Sequence, residues 1–117
     1  VGVCDVSTLG KIDIQGSDAG AFLDLVYSNT FSTLAVGKTR YGLMLREDGM
    51  VMDDGTTARL GETHYVMTTT TANAVGVYRH LEFVRQCLRP DMDVHLISGT
   101  DSWAQFAVAG PNARAVL

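Results

Sequence analysis

Two adjacent carboxylates, Asp53 and Asp54, stand in the middle of MVMDDGTTARL (residues 50–60), a stretch whose Val, paired Thr and preceding polar turn otherwise read as a β-strand. Asp is depleted in strands, so the pair calls for partners. Side chains alternate along a strand. Asp54 therefore shares a face with Met52, Thr56, Ala58 and Leu60, and Asp53 shares the other with Val51, Gly55, Thr57 and Arg59. The first set is the more apolar and is expected to face inward, leaving Asp53 solvated near Arg59. A buried ionised carboxylate needs donors or takes up a proton. The residues alone leave two accounts of Asp54 open. It is a structural carboxylate bonded to backbone N–H groups of a neighbouring loop, or it is aimed at a ligand, where it could stabilise positive charge and accept a proton.

The elements that must position this pair follow from the surrounding pattern. Asp48-Gly49 marks a hairpin turn between TRYGLMLRE and the Asp-Asp strand. A two-residue turn pairs Leu43 with Asp54 and Tyr41 with Thr56, bringing Tyr41 diagonally within reach of Asp54. A three-residue turn with a bulge would instead place Gly42 opposite Asp54; the two-residue reading is adopted. Ile12 and Ile14, alternating with Lys11, Asp13 and Gln15, indicate an earlier strand. Ser17 is the expected N-cap of a helix carrying Phe22, Leu23, Leu25 and Val26. THYVMTT reads as another strand, and a helix is expected from Ala72 to Leu88, capped by Thr71. DVHLISGT and WAQFAVAG read as two further strands, and Pro111 opens a last helix. Strands outnumber helices and several are joined by short turns. The expected architecture is α+β, a mostly antiparallel sheet with helices packed on one face, in a single unit spanning residues 1–117.

Composition removes several function classes. With 9 basic against 13 acidic residues, a net charge of −4 and no basic cluster, nucleic acid is not an expected partner. No apolar run approaches the roughly 20 residues that span a bilayer, so no membrane role is expected. Cys4 and Cys87 lie far apart without Cys or His at metal spacing and read as reduced, buried structural thiols, which points to the cytoplasm. His64, His80 and His95 have no ligand spacing and read as surface or partly satisfied residues with no metal role. The Thr68–Thr71 run reads as a strand end and helix cap, and Trp103 and Phe106 as core aromatics. Arg40 reads as a solvated surface charge. Beginning at Val1 in mid-pattern, the chain is expected to be a piece of a longer polypeptide.

The motifs DVSTLGK (residues 5–11), GSDAGAFL (16–23), RYGLMLREDG (40–49), Asp53-Asp54 and AGPNAR (109–114) occur in the order found in the aminomethyltransferase family, the T-protein of glycine cleavage, and the chain resembles that family nearly end to end. RYGLMLREDGMVMDDGTTARL and HYVMTTTTANA are similar more narrowly to the alpha-subunit branch of bacterial heterotetrameric sarcosine oxidases. The resemblance implies a fragment of a tetrahydrofolate-binding domain that captures the methylene of oxidised sarcosine as 5,10-methylenetetrahydrofolate. It implies that Asp54 is catalytic and lies at the folate nitrogens, with Tyr41, Thr56 and Leu9 as further folate contacts. Leu9 stands where many members have Met, Thr8 where many have His, and Gly55 where many have an apolar residue after the Asp pair. The implied partners are tetrahydrofolate and the other sarcosine oxidase subunits, with FAD, FMN, NAD and zinc in the parent complex but outside this segment, which carries no Gly-x-Gly-x-x-Gly and no cysteine cluster. Two alternatives remain: an aminomethyltransferase of glycine cleavage, and a folate-binding regulatory or iron–sulfur assembly relative without transfer activity.

Overall fold

The computed structural model describes residues 1–117. The alternation around Ile12 and Ile14 becomes strand β2 (Gly10–Gln15), which follows a short β1 (Gly2–Asp5). Helix α1 (Ala19–Val26) leads through an irregular segment to the hairpin β3 (Thr39–Leu45) and β4 (Val51–Gly61), and then to β5 (His64–Thr69). Helix α2 (Ala74–Phe83) is preceded by a tight helical turn at Thr71–Asn73 and followed by a wide one at Val84–Leu88. Arg89 N–H closes the wide turn on the Val84 carbonyl at 2.8 Å. Strands β6 (His95–Ser98) and β7 (Phe106–Ala109) and a terminal helical turn α3 (Ala113–Val116) complete the chain.

Five strands form one sheet in the order β3-β4-β5-β2-β6, antiparallel at every pairing. One face is apolar: Ile12 and Ile14 from β2, Met44 from β3, Tyr65 and Met67 from β5 and Leu96 from β6. Phe22, Leu23 and Val26 of α1 and Val77 and Leu81 of α2 join the same core, helped by Val84 in the wide turn. The helical spacing of these residues explains why both helices lie on this face. Leu25, expected among the apolar positions of α1, and Leu88, the expected end of the second helix, are exposed. The α+β architecture read from the sequence is the observed one. No helix is long and apolar enough to cross a membrane.

Strands β1 and β7 stand apart as a two-stranded antiparallel ribbon, Gly2 opposite Ala109 and Asp5 opposite Phe106. Phe106 in the ribbon and Trp103 just before it are exposed, not core aromatics as expected. No helix of this chain covers the ribbon, so its β-type alternation has no core to face. Cys4, also in the ribbon, and Cys87 are likewise free and exposed rather than buried.

The start of α1 differs from its expected cap. Ser17 donates its N–H and hydroxyl to Asp93 Oδ2 at 3.0 and 2.9 Å, and Asp93 N–H donates to Asp18 Oδ2 at 2.8 Å. This exchange pins α1 to the lead-in of β6, and it explains why Ser17 bonds across the fold and not into its own helix. Thr71 is similarly displaced from its expected place at the cap of α2, where Asn73 precedes the first helical residue.

A candidate cleft on the open face of the sheet

The tip of the β3–β4 hairpin determines where the Asp pair points. Gly49 N–H donates to the Arg46 carbonyl at 2.9 Å, Arg46 N–H to Met50 at 2.8 Å, and Gly49 takes the left-handed φ of +82°. This is the three-residue turn with a left-handed glycine, not the two-residue turn. A second irregularity cancels the slip. Leu45 pairs with Val51 and Met44 with Asp53, so Met52 is an extra, bulged residue. Beyond it Leu43 pairs with Asp54 and Tyr41 with Thr56, the register that the two-residue reading required.

The bulge also corrects the assignment of faces. Met52 leans partly into the core, as expected, but so does its neighbour Asp53, because alternation is interrupted between them. Asp53 is the buried carboxylate, 6% exposed. Its Oδ1 accepts from the Thr70 hydroxyl at 2.7 Å and its Oδ2 from Thr70 N–H at 3.1 Å. Asn73 Nδ2 donates to the Met52 carbonyl at 2.8 Å, so the bulge and Asp53 together hold the turn that begins α2. The structural role weighed for Asp54 thus falls to Asp53. Asp54, only partly buried, points to the opposite face of the sheet, away from the helices.

There it meets Tyr41, whose hydroxyl donates to Asp54 Oδ2. The hydrogen bond to the Asp54 carboxylate, helped by desolvation, holds the Tyr41 phenol above its ordinary value of 10.0. Close by, the β4–β5 ladder ends at Thr57 opposite Met67. Thr56 N–H turns instead to Thr68 Oγ1 at 2.9 Å, and that hydroxyl donates to the Thr56 carbonyl at 3.1 Å. Gly55 is required at this point. A Cβ on it would lie 2.1 Å from the Thr68 carbonyl oxygen, so the β5 backbone makes a close approach here that only glycine accommodates.

The result is an open cleft of about 250 Å³. Leu9, Tyr41, Asp54 and Thr56, the four residues singled out from the sequence, all lie on its walls, with Gly55, Thr68, Thr69, Thr70 and Gln105 beside them. The threonine run was legible as a strand end but not as a wall; only the pairing of β4 with β5 brings it beside Asp54. Gln105 had no signal in the sequence. It arrives through contacts with the β1–β2 turn, its N–H donating to Ser7 Oγ at 3.0 Å. Arg40 is not on the cleft; its guanidinium donates to the Thr30 carbonyl. A larger cavity of about 320 Å³ lies between the hairpin tip and the ends of the helices, where Leu25, Leu45, Arg46, Glu47 and His80 meet. Volume does not decide between the two. The larger cavity has no carboxylate–phenol pair, and burial pushes the His80 imidazole down, disfavouring its charged form.

The sequence matches the model of the GCVT N-terminal domain over residues 1–117. It is 64% identical over 116 residues to the sarcosine oxidase subunit alpha of Rhizobium meliloti (strain 1021), covering 99% of this chain and 12% of that protein. It is 39% identical over 117 residues to the aminomethyltransferase of Exiguobacterium sibiricum, covering 31% of that protein. The fold is similar to the crystal structure of glycine cleavage system aminomethyltransferase T from Bartonella henselae, with a TM-score of 0.84 and 25% sequence identity over 97% of this chain and 30% of that one. The chain thus spans between about an eighth and a third of the proteins it matches.

Proposed function

The chain belongs to the GCVT N-terminal domain family, and on that premise we propose that residues 1–117 form one wall of a tetrahydrofolate site in which Asp54 serves one-carbon transfer. The observation that carries the reading is the carboxylate–phenol pair Asp54–Tyr41 on an open cleft that also holds Leu9 and Thr56. Identity of 64% to a sarcosine oxidase alpha subunit supports placing the chain in such a subunit, with the other subunits as partners, ahead of an aminomethyltransferase at 39%.

The donor set fits reduced folate. A carboxylate suits a nitrogen that becomes positive, threonine hydroxyls suit a polar heterocycle edge, and Leu9 suits its apolar face. A cleft of about 250 Å³ is at the small end for a complete ligand site, which supports further walls from the rest of the polypeptide. When bound, the folate supplies the nucleophilic nitrogen that takes up the one-carbon unit. Asp54 stabilises the positive charge at that nitrogen and accepts its proton. Tyr41, donating to Oδ2, fixes the carboxylate and leaves Oδ1 for the ligand. Thr56 and Thr68, 3.1 Å apart through their hydroxyls, hold the floor of the cleft.

A hydrogen bond to a charged group contributes about 1.5–3 kcal/mol. Asp54→Asn in the full-length polypeptide is therefore expected to weaken tetrahydrofolate binding, or slow methylene transfer, by roughly one to two powers of ten. Calorimetric titration and product assay read this directly. Affinity and rate both at the parental level would remove Asp54 from the site.

A further inference from the structure

Beside the cleft, and sharing Thr68 and Gln105 with it, lies a second cavity of about 140 Å³ lined also by Lys11, Val66, Trp103 and Ala104. Lys11 is 3% exposed. Its ammonium has three N–H donors and one protein acceptor, the Ser7 carbonyl at 2.6 Å. It takes part in none of the ion pairs of the chain. On the same cavity, Gln105 Oε1 is buried and accepts from no donor. The Gln105 backbone is nonetheless fixed, its carbonyl accepting from Val6 N–H at 2.9 Å and its N–H donating to Ser7 Oγ. Asp5 feels the Lys11 charge from beyond ion-pair distance. A buried ammonium with N–H donors left over and a buried carbonyl without a donor each cost free energy. One ligand offsets both if it brings an anionic oxygen to Lys11 and an N–H to Gln105.

We propose that this cavity is a carboxylate subsite, built for a carboxylate with an N–H on the adjacent carbon, as in an α-amino acid. The proposal deepens the folate reading and rests on it for its two candidate sources. These are the small amino acid released when the one-carbon unit is transferred, glycine if the donor is oxidised sarcosine, and the glutamyl end of the folate. Both carry the same headgroup. A volume of about 140 Å³ suits that headgroup and not a pterin ring.

The test uses the full-length polypeptide and calorimetric titration with glycine, tetrahydrofolate and tetrahydropteroate, which lacks the glutamyl group. Lys11→Met removes the charge and keeps the stem; Gln105→Met removes the side-chain amide at nearly constant length and stands in if Lys11→Met fails to fold. The expected result is at least a ten-fold loss of affinity for glycine or for tetrahydrofolate, with tetrahydropteroate unaffected. Loss for glycine assigns the subsite to the amino acid, and loss for tetrahydrofolate assigns it to the glutamyl group. Unchanged affinities for both in a folded variant, or no binding of either by the parent, overturn the subsite. Tetrahydropteroate binding by the parent in that case leaves the folate reading standing. Lys11-dependent glycine binding without tetrahydropteroate binding keeps the subsite and removes the folate site.

Discussion

Replacing Asp53 by Ala should destabilise the fold far more than replacing Asp54, although the strand pattern alone argues the reverse. Asp53 is 6% exposed and accepts from Thr70 N–H and Thr70 Oγ1 at 3.1 and 2.7 Å. Each bond to an ionised acceptor contributes about 1.5–3 kcal/mol, and alanine leaves the part-buried Thr70 N–H and hydroxyl without this acceptor. The carboxylate's own desolvation is relieved at the same time, so the expected net loss is about 2–3 kcal/mol. Asp53→Asn keeps one acceptor oxygen and should lose about half as much. Asp54, partly exposed and bonded to an exposed Tyr41, belongs with surface substitutions that stay within about 0.5 kcal/mol. Urea unfolding read by circular dichroism, with equal m-values so that midpoints compare as free energies, gives the ranking. Asp53→Ala unfolding within about 0.5 kcal/mol of the parent, or Asp54→Ala costing as much as Asp53→Ala, would refute the assignment of faces.

The other predictions concern the walls of the cleft. Gly55→Ala should cost about 2 kcal/mol or more, because its Cβ would sit 2.1 Å from a backbone carbonyl that cannot move without disturbing β5; an unfolding midpoint at the parental value would remove the close approach. The Tyr41 phenol is held above 10.0 by its bond to the Asp54 carboxylate, so the stability it contributes is fully present below the ordinary value and is lost as pH rises through the higher native one. Ultraviolet titration, taken as a difference against Tyr41→Phe, should therefore show Tyr41 ionising late, and ionising earlier in Asp54→Asn. An unmoved midpoint in that variant would mean that the carboxylate is not the cause.

Much of the fold was legible because it rests on local periodicity. Phe22, Leu23 and Val26 at helical spacing, and Ile12 and Ile14 at strand spacing, name their buried faces without outside help. The face of β4 was not legible for a physical reason. Alternation was counted through Met52, and the bulged residue breaks it, so Met52 and Asp53 lean the same way. An apolar count also misleads here, since the inward face of β4 carries Asp53 and Thr57 and its outward face carries Leu60. Asp53 is tolerated inward because Thr70 supplies donors from a segment seventeen residues away, beyond the reach of any local pattern. The cleft residues themselves came from the resemblance of ordered motifs. Gln105 and the threonine wall needed the tertiary pairing of distant strands.

The ribbon of β1 and β7 gives this chain a distinctive order of assembly. Gly2 finds its partner only at Ala109, and β2 is flanked by β5 on one side and by the still later β6 on the other. At roughly 5–20 residues per second on the ribosome, β1 waits on the order of ten seconds for its complement. The hairpin of β3 and β4, whose pairing is local, can form within microseconds of its synthesis. The hairpin that carries Asp54 and Tyr41 can thus form before the segment bearing Gln105 has been synthesised. Such long-range closure slows folding, and during the wait the exposed Val3 and the unpaired edge of β1 are the features of the nascent chain most in need of protection.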